Sequence, residues 1–238
     1  MFVLEAGHMG AQWKHAGRLA SSAAKGKLFS RLAKELIVAA KSGADPALNA
    51  RLRAAVEAAK KASMPRDTLE RAIKKGAGLL DEKAHYETVV YEGFGPHRVP
   101  VIVECLTDNT KRTVTNIRHI FRNGQLTPVA WDFTHTGIVD ATPPEGADAE
   151  ETAIEAGAQD LEPDHEGGFR FYTEPGDLDA VSKALSGRGW TVATMRIGWR
   201  AKNPVKIEDA AARAEVETFL TELDEDDDVQ HIYAGLEG

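Results

Sequence analysis

Apolar residues recur at helical spacing through the first third of the chain and at strand spacing beyond it. Between Leu28 and Lys41, Phe29, Leu32, Ala33, Leu36, Ile37 and Ala40 follow the i, i+3, i+4, i+7 rule of a single helix face. Arg31, Lys34 and Lys41 lie off that stripe and are expected to face outward. Gly43-Ala44-Asp45-Pro46 breaks the helix, because the residue before a proline avoids helical backbone and glycine loosens it. The spacing predicts a second helix over about 48–62, with Leu52, Ala55, Val56 and Ala59 inward and Arg51, Lys60 and Lys61 outward. Ser63-Met64-Pro65 offers a capping hydroxyl and a first-turn proline to a third, short helix through Leu69, Ala72 and Ile73, stopped at Gly76. Small residues dominate these faces and let the helices approach closely, so this stretch reads as a small helical bundle.

At Tyr86 the period changes. Tyr86–Glu92 and Val99–Thr107 are rich in Val, Ile and Tyr and flank Gly93-Phe94-Gly95-Pro96, which predicts a β-hairpin, with Pro100 at a strand start or on an edge. Asp108-Asn109 can cap a helix whose inner face carries Val114, Ile117 and Phe121. Trp131–Phe133 and Gly137–Val139 read as strand. Then come a turn or linker at Pro143-Pro144-Glu145-Gly146, a helix about Ala149–Ala156, a strand Phe169–Thr173, a helix Leu178–Leu185 and a strand Trp190–Trp199. Ile207–Leu223 predicts a last helix with Ala211, Ala214, Phe219, Leu220 and Leu223 inward, and Val229–Tyr233 a last strand. The alternation indicates small α+β domains.

Charge sharpens this division. Residues 1–78 hold 15 Lys/Arg against 6 Asp/Glu and residues 79–238 hold 14 against 31, so +9 and −17 combine to the net −8. Clustered cations displace the counterions condensed on phosphates, which points to nucleic acid as the partner of the first module. The candidate contacts are Lys14, Arg18, Lys25, Lys27, Arg31, Lys34, Arg51, Arg53, Lys60, Lys61, Arg66, Arg71, Lys74 and Lys75. A solvated helix face ordinarily mixes signs for i, i+4 pairing, and this one is short of acids. Phosphate contact is favoured over base reading, since no Arg/Asn/Gln-rich recognition helix stands out.

Other chemistries lack their residues. The lone Cys105 sits in an apolar run and reads as a small buried hydrophobe in a reducing cytoplasm. No run reaches bilayer-spanning length, so no membrane contact is expected. Met1–His8 reads as a dispensable leader, with Met9-Gly10 as the natural start. The histidines form no HExxH or HxxxH, there is no CxxC and no GxSxG, so no catalytic residue, metal or cofactor is expected. Glu92-Gly93-Phe94-Gly95-Pro96 reads as a hairpin turn with Phe94 at its tip, not as a phosphate cradle, because it lacks the GxxxxGK[ST] lysine and opens no helix. Asp224–Asp228 reads as a solvated helix end, its consecutive carboxylates lacking the spacing of a calcium loop.

Lys27-Leu28-Phe29-Ser30-Arg31-Leu32-Ala33-Lys34-Glu35, Asp45-Pro46, Asn49-Ala50-Arg51-Leu52-Arg53, Met64-Pro65-Arg66-Asp67 and Ile73-Lys74-Lys75-Gly76 together form a pattern. It continues through Tyr91-Glu92-Gly93-Phe94-Gly95-Pro96, Glu104-Cys105-Leu106-Thr107-Asp108-Asn109, Arg112-Thr113 and Asp227-Asp228-Val229-Gln230. With these residues in this order the chain resembles the YebC/PmpR family, whose mitochondrial relatives activate translation of a cytochrome oxidase subunit. Asn123–Pro128 is shorter than the Gly-rich segment usual there. The resemblance implies an α+β multidomain fold: an N-terminal helical bundle (9–80), a middle α+β domain (81–135 plus 203–238) and an α+β domain inserted into it (136–202). It also implies a non-enzymatic DNA-binding transcriptional regulator. The alternatives are a translation factor bound to the ribosome through ribosomal RNA, and a protein-interaction scaffold. Partners would be DNA or ribosomal RNA, with ribosome or transcription machinery proteins.

Overall fold

In the computed structural model, which describes residues 22–80, 86–164 and 167–237, the first module is built of α1 (Ser22–Ala40), α2 (Ala50–Lys61) and α3 (Arg66–Gly76). Asn49 joins two of them. Its side-chain oxygen accepts from the Leu52 amide at 3.0 Å, and its side-chain nitrogen donates to the carbonyls of Ala39 and Gly43 at 2.8 and 2.9 Å. One residue thus satisfies backbone groups left over at the end of one helix and the start of the next. The core gathers Leu36, Ile37 and Ala40 of α1 with Leu52 and Ala59 of α2, Met64, and Leu69 and Ala72 of α3.

Because α1 packs against both other helices, it buries a wider arc than one stripe. Lys34, expected outward, is only 9 % exposed. Ser63 does not cap α3; it lies at φ 59°, and the cap position falls on Pro65 without a side-chain hydrogen bond. Gly76 seals the α1–α3 contact, since an added Cβ would collide with the Ile37 carbonyl and the Ala40 methyl. Gly76→Ala is expected to destabilise the bundle by about 1–3 kcal/mol, read as a lower urea midpoint of the helical circular-dichroism signal.

In chain order there follow β1 (Glu87–Phe94), β2 (Pro100–Thr107), α4 (Thr110–Ile120), β3 (Gln125–Leu126), β4 (Phe133–Thr142), α5 (Ala149–Ala156), β5 (Asp160–Pro163), β6 (Phe169–Thr173), α6 (Leu178–Gly187), β7 (Thr191–Ala201), α7 (Ala210–Glu225) and β8 (Val229–Ala234). The described residues fall into two compact units, one of 87–135 with 199–237 and one of 22–86 with 136–198.

The first unit carries a sheet in the order β3-β1-β2-β8, with Tyr91 opposite Val103 and Val103 opposite Ile232. Strand alternation turns Val99, Val101, Val103 and Cys105 toward Ile117 and Phe121 of α4's end and Val216, Phe219, Leu220 and Leu223 of α7. Phe121 and Phe219 meet edge to face at 5.0 Å. Ala211 and Ala214, expected inward, are exposed; a methyl group buries too little area to steer a helix, and Val216 sets the face instead. Pro100 opens β2, as its missing donor requires.

The second sheet runs β5-β6-β4-β7, and β4-α5-β5-β6-α6-β7 is a split βαβ arrangement. The whole of this second sheet interrupts the chain between the third and last strands of the first. Val139, Ala141 and Phe171 pack on Ala153, Val181, Leu185 and Trp190, and Trp190 lies edge-on to Phe171 at 5.0 Å. On the opposite face Asp140 accepts from Arg170 at 2.7 Å, Arg196 at 2.8 Å and Thr194 at 2.7 Å. The expected strand at Trp131–Phe133 is instead a single turn at Ala130–Asp132, followed by β4. Buried Asp132 accepts from Asn203 at 2.8 Å and holds that turn.

Candidate nucleic-acid interface

Each helix of the first module presents cations away from its core stripe. On α2 Arg51, Arg53, Lys60 and Lys61 are exposed, and Arg53, Glu57, Lys60 and Lys61 share one face at i, i+4, i+7, i+8. On α3 Arg66, Arg71 and Lys74 are exposed and Lys75 is half-buried. Lys27 is exposed on α1, Arg31 is half-buried, and Lys34 is packed into the module. Lys14 and Arg18 lie outside the described residues, as does the side chain of Lys25.

The surrounding acids are few and partly engaged. Residues 22–80 hold 13 Lys/Arg against 5 Asp/Glu, a net +8. Asp45 accepts from the Ala47 amide at 2.9 Å, and Glu70 pairs with Arg66 at 2.7 Å. That hydrogen bond raises the Arg66 pKa and lowers that of Glu70. Lys60, Lys61, Lys74 and Lys75 occupy the last turns of α2 and α3, where the helix dipole favours cations. Clustered cations with few acids between them give this surface a positive potential.

Two features of the sheet-bearing units escaped the sequence reading. The first concerns the acidic run. Asp228 is 3 % exposed, not solvated. Its carboxylate accepts from Arg112 Nη2 at 2.8 Å and from the hydroxyls of Thr113 at 2.8 Å and Thr107 at 3.2 Å. Its carbonyl accepts from the Leu106 amide at 2.7 Å. The hydrogen bond to Asp228 raises the pKa of Arg112. Residues far apart in sequence thus pin α4 to β2 and β8. The signal was present, because Thr107, Arg112-Thr113 and Asp228 all fall in the motifs of the family pattern; what was missing was their convergence.

The second concerns aromatics. Phe94 does not project from a turn tip: it ends β1, and the Arg98 guanidinium lies 4.8 Å above its ring. The turn itself falls at Pro96–Arg98, with His97 and Arg98 both left-handed at φ 55° and 60°. Among the described residues the exposed large aromatic is Trp131.

Among the described residues no helix is long and apolar enough to cross a membrane. Residues 10–79 match the family model described as the TACO1/YebC protein N-terminal domain, and residues 86–236 match the TACO1/YebC second and third domain. A protein of Polaromonas sp. named "Probable transcriptional regulatory protein" is 56 % identical over 237 residues, covering 97 % of this chain and all of the relative. One of Pseudomonas syringae pv. tomato with the same name is also 56 % identical, over 234 residues, 97 % of this chain and all of that protein. The crystal structure of a conserved hypothetical protein from Aquifex aeolicus superposes with a TM-score of 0.84 at 39 % identity, covering 96 % of both chains.

Proposed function

Since the chain belongs to the TACO1/YebC family, we propose that it is a non-enzymatic regulator of gene expression that binds nucleic acid through its helical module, residues 9–80, and acts as a DNA-binding transcriptional regulator. The observation that carries this is the net +8 on residues 22–80, with exposed Arg51, Arg53, Lys60, Lys61, Arg66, Arg71 and Lys74, against a body of opposite sign. The net acidity of the α+β parts, residues 81–135 plus 203–238 and the inserted 136–202, disfavours broad phosphate contact there and leaves the module as the main electrostatic contact. The names of the relatives support the regulatory role.

Binding by phosphate contact must weaken with salt, because each neutralised phosphate returns a counterion to solution. Titrations of the full chain with duplex DNA between about 50 and 200 mM salt are expected to give a steep linear fall of log K with log salt. A Lys60→Gln, Lys61→Gln, Lys74→Gln triple variant should lower that slope by roughly 2–3 and weaken binding without sequence preference. Salt-insensitive binding, or a triple variant as tight as the parent, would overturn the proposal.

A second reading, translation at the ribosome, is favoured by the net −17 of residues 79–238. Such a chain suits a factor that sets one end on a large RNA assembly. Co-sedimentation with ribosomes, compared with genome-wide DNA crosslinking, separates the two.

A further inference from the structure

We infer that Trp131 is a second nucleic-acid contact, a stacking platform for an unpaired base. It lies on the unit of residues 87–135 and 199–237, apart in sequence from the cationic helices. The inference rests on the nucleic-acid reading above.

Trp131 is 67 % exposed, although an indole is among the side chains whose burial is most favourable. Its ring is nonetheless tethered, and the backbone on both sides of it is fixed. Its ring Nε1 donates to the Pro128 carbonyl at 3.2 Å. Before it, the Glu92 carboxylate accepts from the amides of Val129 and Ala130, both at 2.8 Å. After it, the Asp132 carbonyl accepts from the Lys202 amide at 2.9 Å, and the buried Asp132 carboxylate accepts from Asn203. A rigid aromatic ring kept in water loses little conformational freedom on binding, which is the property of a pre-organised anchor.

The charges beside it select the ligand. The Lys202 ammonium donates to the Trp131 carbonyl at 2.9 Å, which places a cation within reach of the phosphate of a nucleotide stacked on the ring. The two carboxylates that flank its turn are both engaged, Glu92 by two backbone amides and Asp132 by the Asn203 side chain. An exposed indole whose own carbonyl holds a lysine ammonium fits an unpaired base and its phosphate; a base inside a duplex has no free face to offer. A protein partner would also use an exposed indole, and the experiment separates the two.

The full chain is titrated with a short oligouridine and with a duplex, following indole emission, which stacking quenches. Trp131→Ala is expected to weaken oligouridine binding by about tenfold and to remove the quenched component, with little change for the duplex, while Trp131→Phe retains most of the affinity. Lys202→Gln should weaken it less and reduce the salt slope by about one. Oligouridine binding and quenching unchanged in Trp131→Ala would overturn the inference. If the lysine triple variant loses binding in the same series, the proposed function stands and only the Trp131 site falls; if the parent binds no nucleic acid, both fall. Loss of ribosome co-sedimentation in Trp131→Ala with oligouridine binding and quenching intact shows that the indole acts other than by stacking an unpaired base and also overturns the inference. Near-ultraviolet circular dichroism of each variant checks that the fold is kept.

Discussion

Replacing Asp140 by alanine is expected to lower the stability of the second sheet by about 3–5 kcal/mol, because it strands two mostly buried guanidinium groups. The side chains of Arg170 and Arg196 are 21 % and 22 % exposed, and both converge on the Asp140 carboxylate. Burial alone pushes that carboxyl up in pKa, but the charges and hydrogen bonds of Arg196 and Arg170 outweigh it and hold Asp140 well below the usual carboxylate range. The folded state therefore binds this proton less readily than the unfolded chain. The contribution is complete above the unfolded pKa of about 4 and is lost as pH falls through the folded value. Acid should loosen this sheet progressively below about pH 4, and Asp140→Ala should remove that part of the pH dependence along with the stability. Urea midpoints of Trp190 emission, from pH 7 to pH 3, measure both. A triple exchange of Asp140, Arg170 and Arg196 for apolar residues of similar volume should recover most of the loss, because the arginines are then no longer stranded. A midpoint unchanged in Asp140→Ala would show that the triad contributes nothing.

Asp228→Ala is expected to cost about 2–3 kcal/mol, since it removes a charge-assisted pair and the acceptor shared by two buried hydroxyls. Thr107 and Thr113 are fully buried, whereas the Arg112 side chain is 49 % exposed and can return to water. That difference places the cost below that of Asp140. The loss should be local to the β2–β8 junction and the start of α4. Hydrogen exchange of the β8 amides is expected to accelerate more than that of β6. Asp228→Asn keeps the shape and an acceptor oxygen and should show a smaller effect; equal acceleration of both sheets would contradict a local pin.

The helices of the first module were legible because their cores follow one period: Leu32, Leu36 and Ile37, then Leu52, Val56 and Ala59, are buried as the spacing requires. β2 and β6 were equally plain, being apolar on a short run between breakers. β5 was missed because Asp160-Leu161-Glu162-Pro163 has little apolar content; it is a strand through pairing with Phe169–Tyr172 rather than through its own preference. At Trp131 the local preference of aromatic residues points to strand, while a distant side-chain amide, that of Asn203, holds the turn instead.

By itself the sequence determined where the cations are concentrated, which stretches are helical, that a period-two segment begins near Tyr86, and which family pattern the residues form, since each depends on neighbours along the chain. Only the tertiary structure decided that Lys34 is packed inside, that the last of the clustered aspartates is a buried acceptor for Arg112, that Asp140 sits between two arginines, and that Trp131 stands in water. Burial of a charge or exposure of an indole is set by partners tens of residues away, and no local period encodes them.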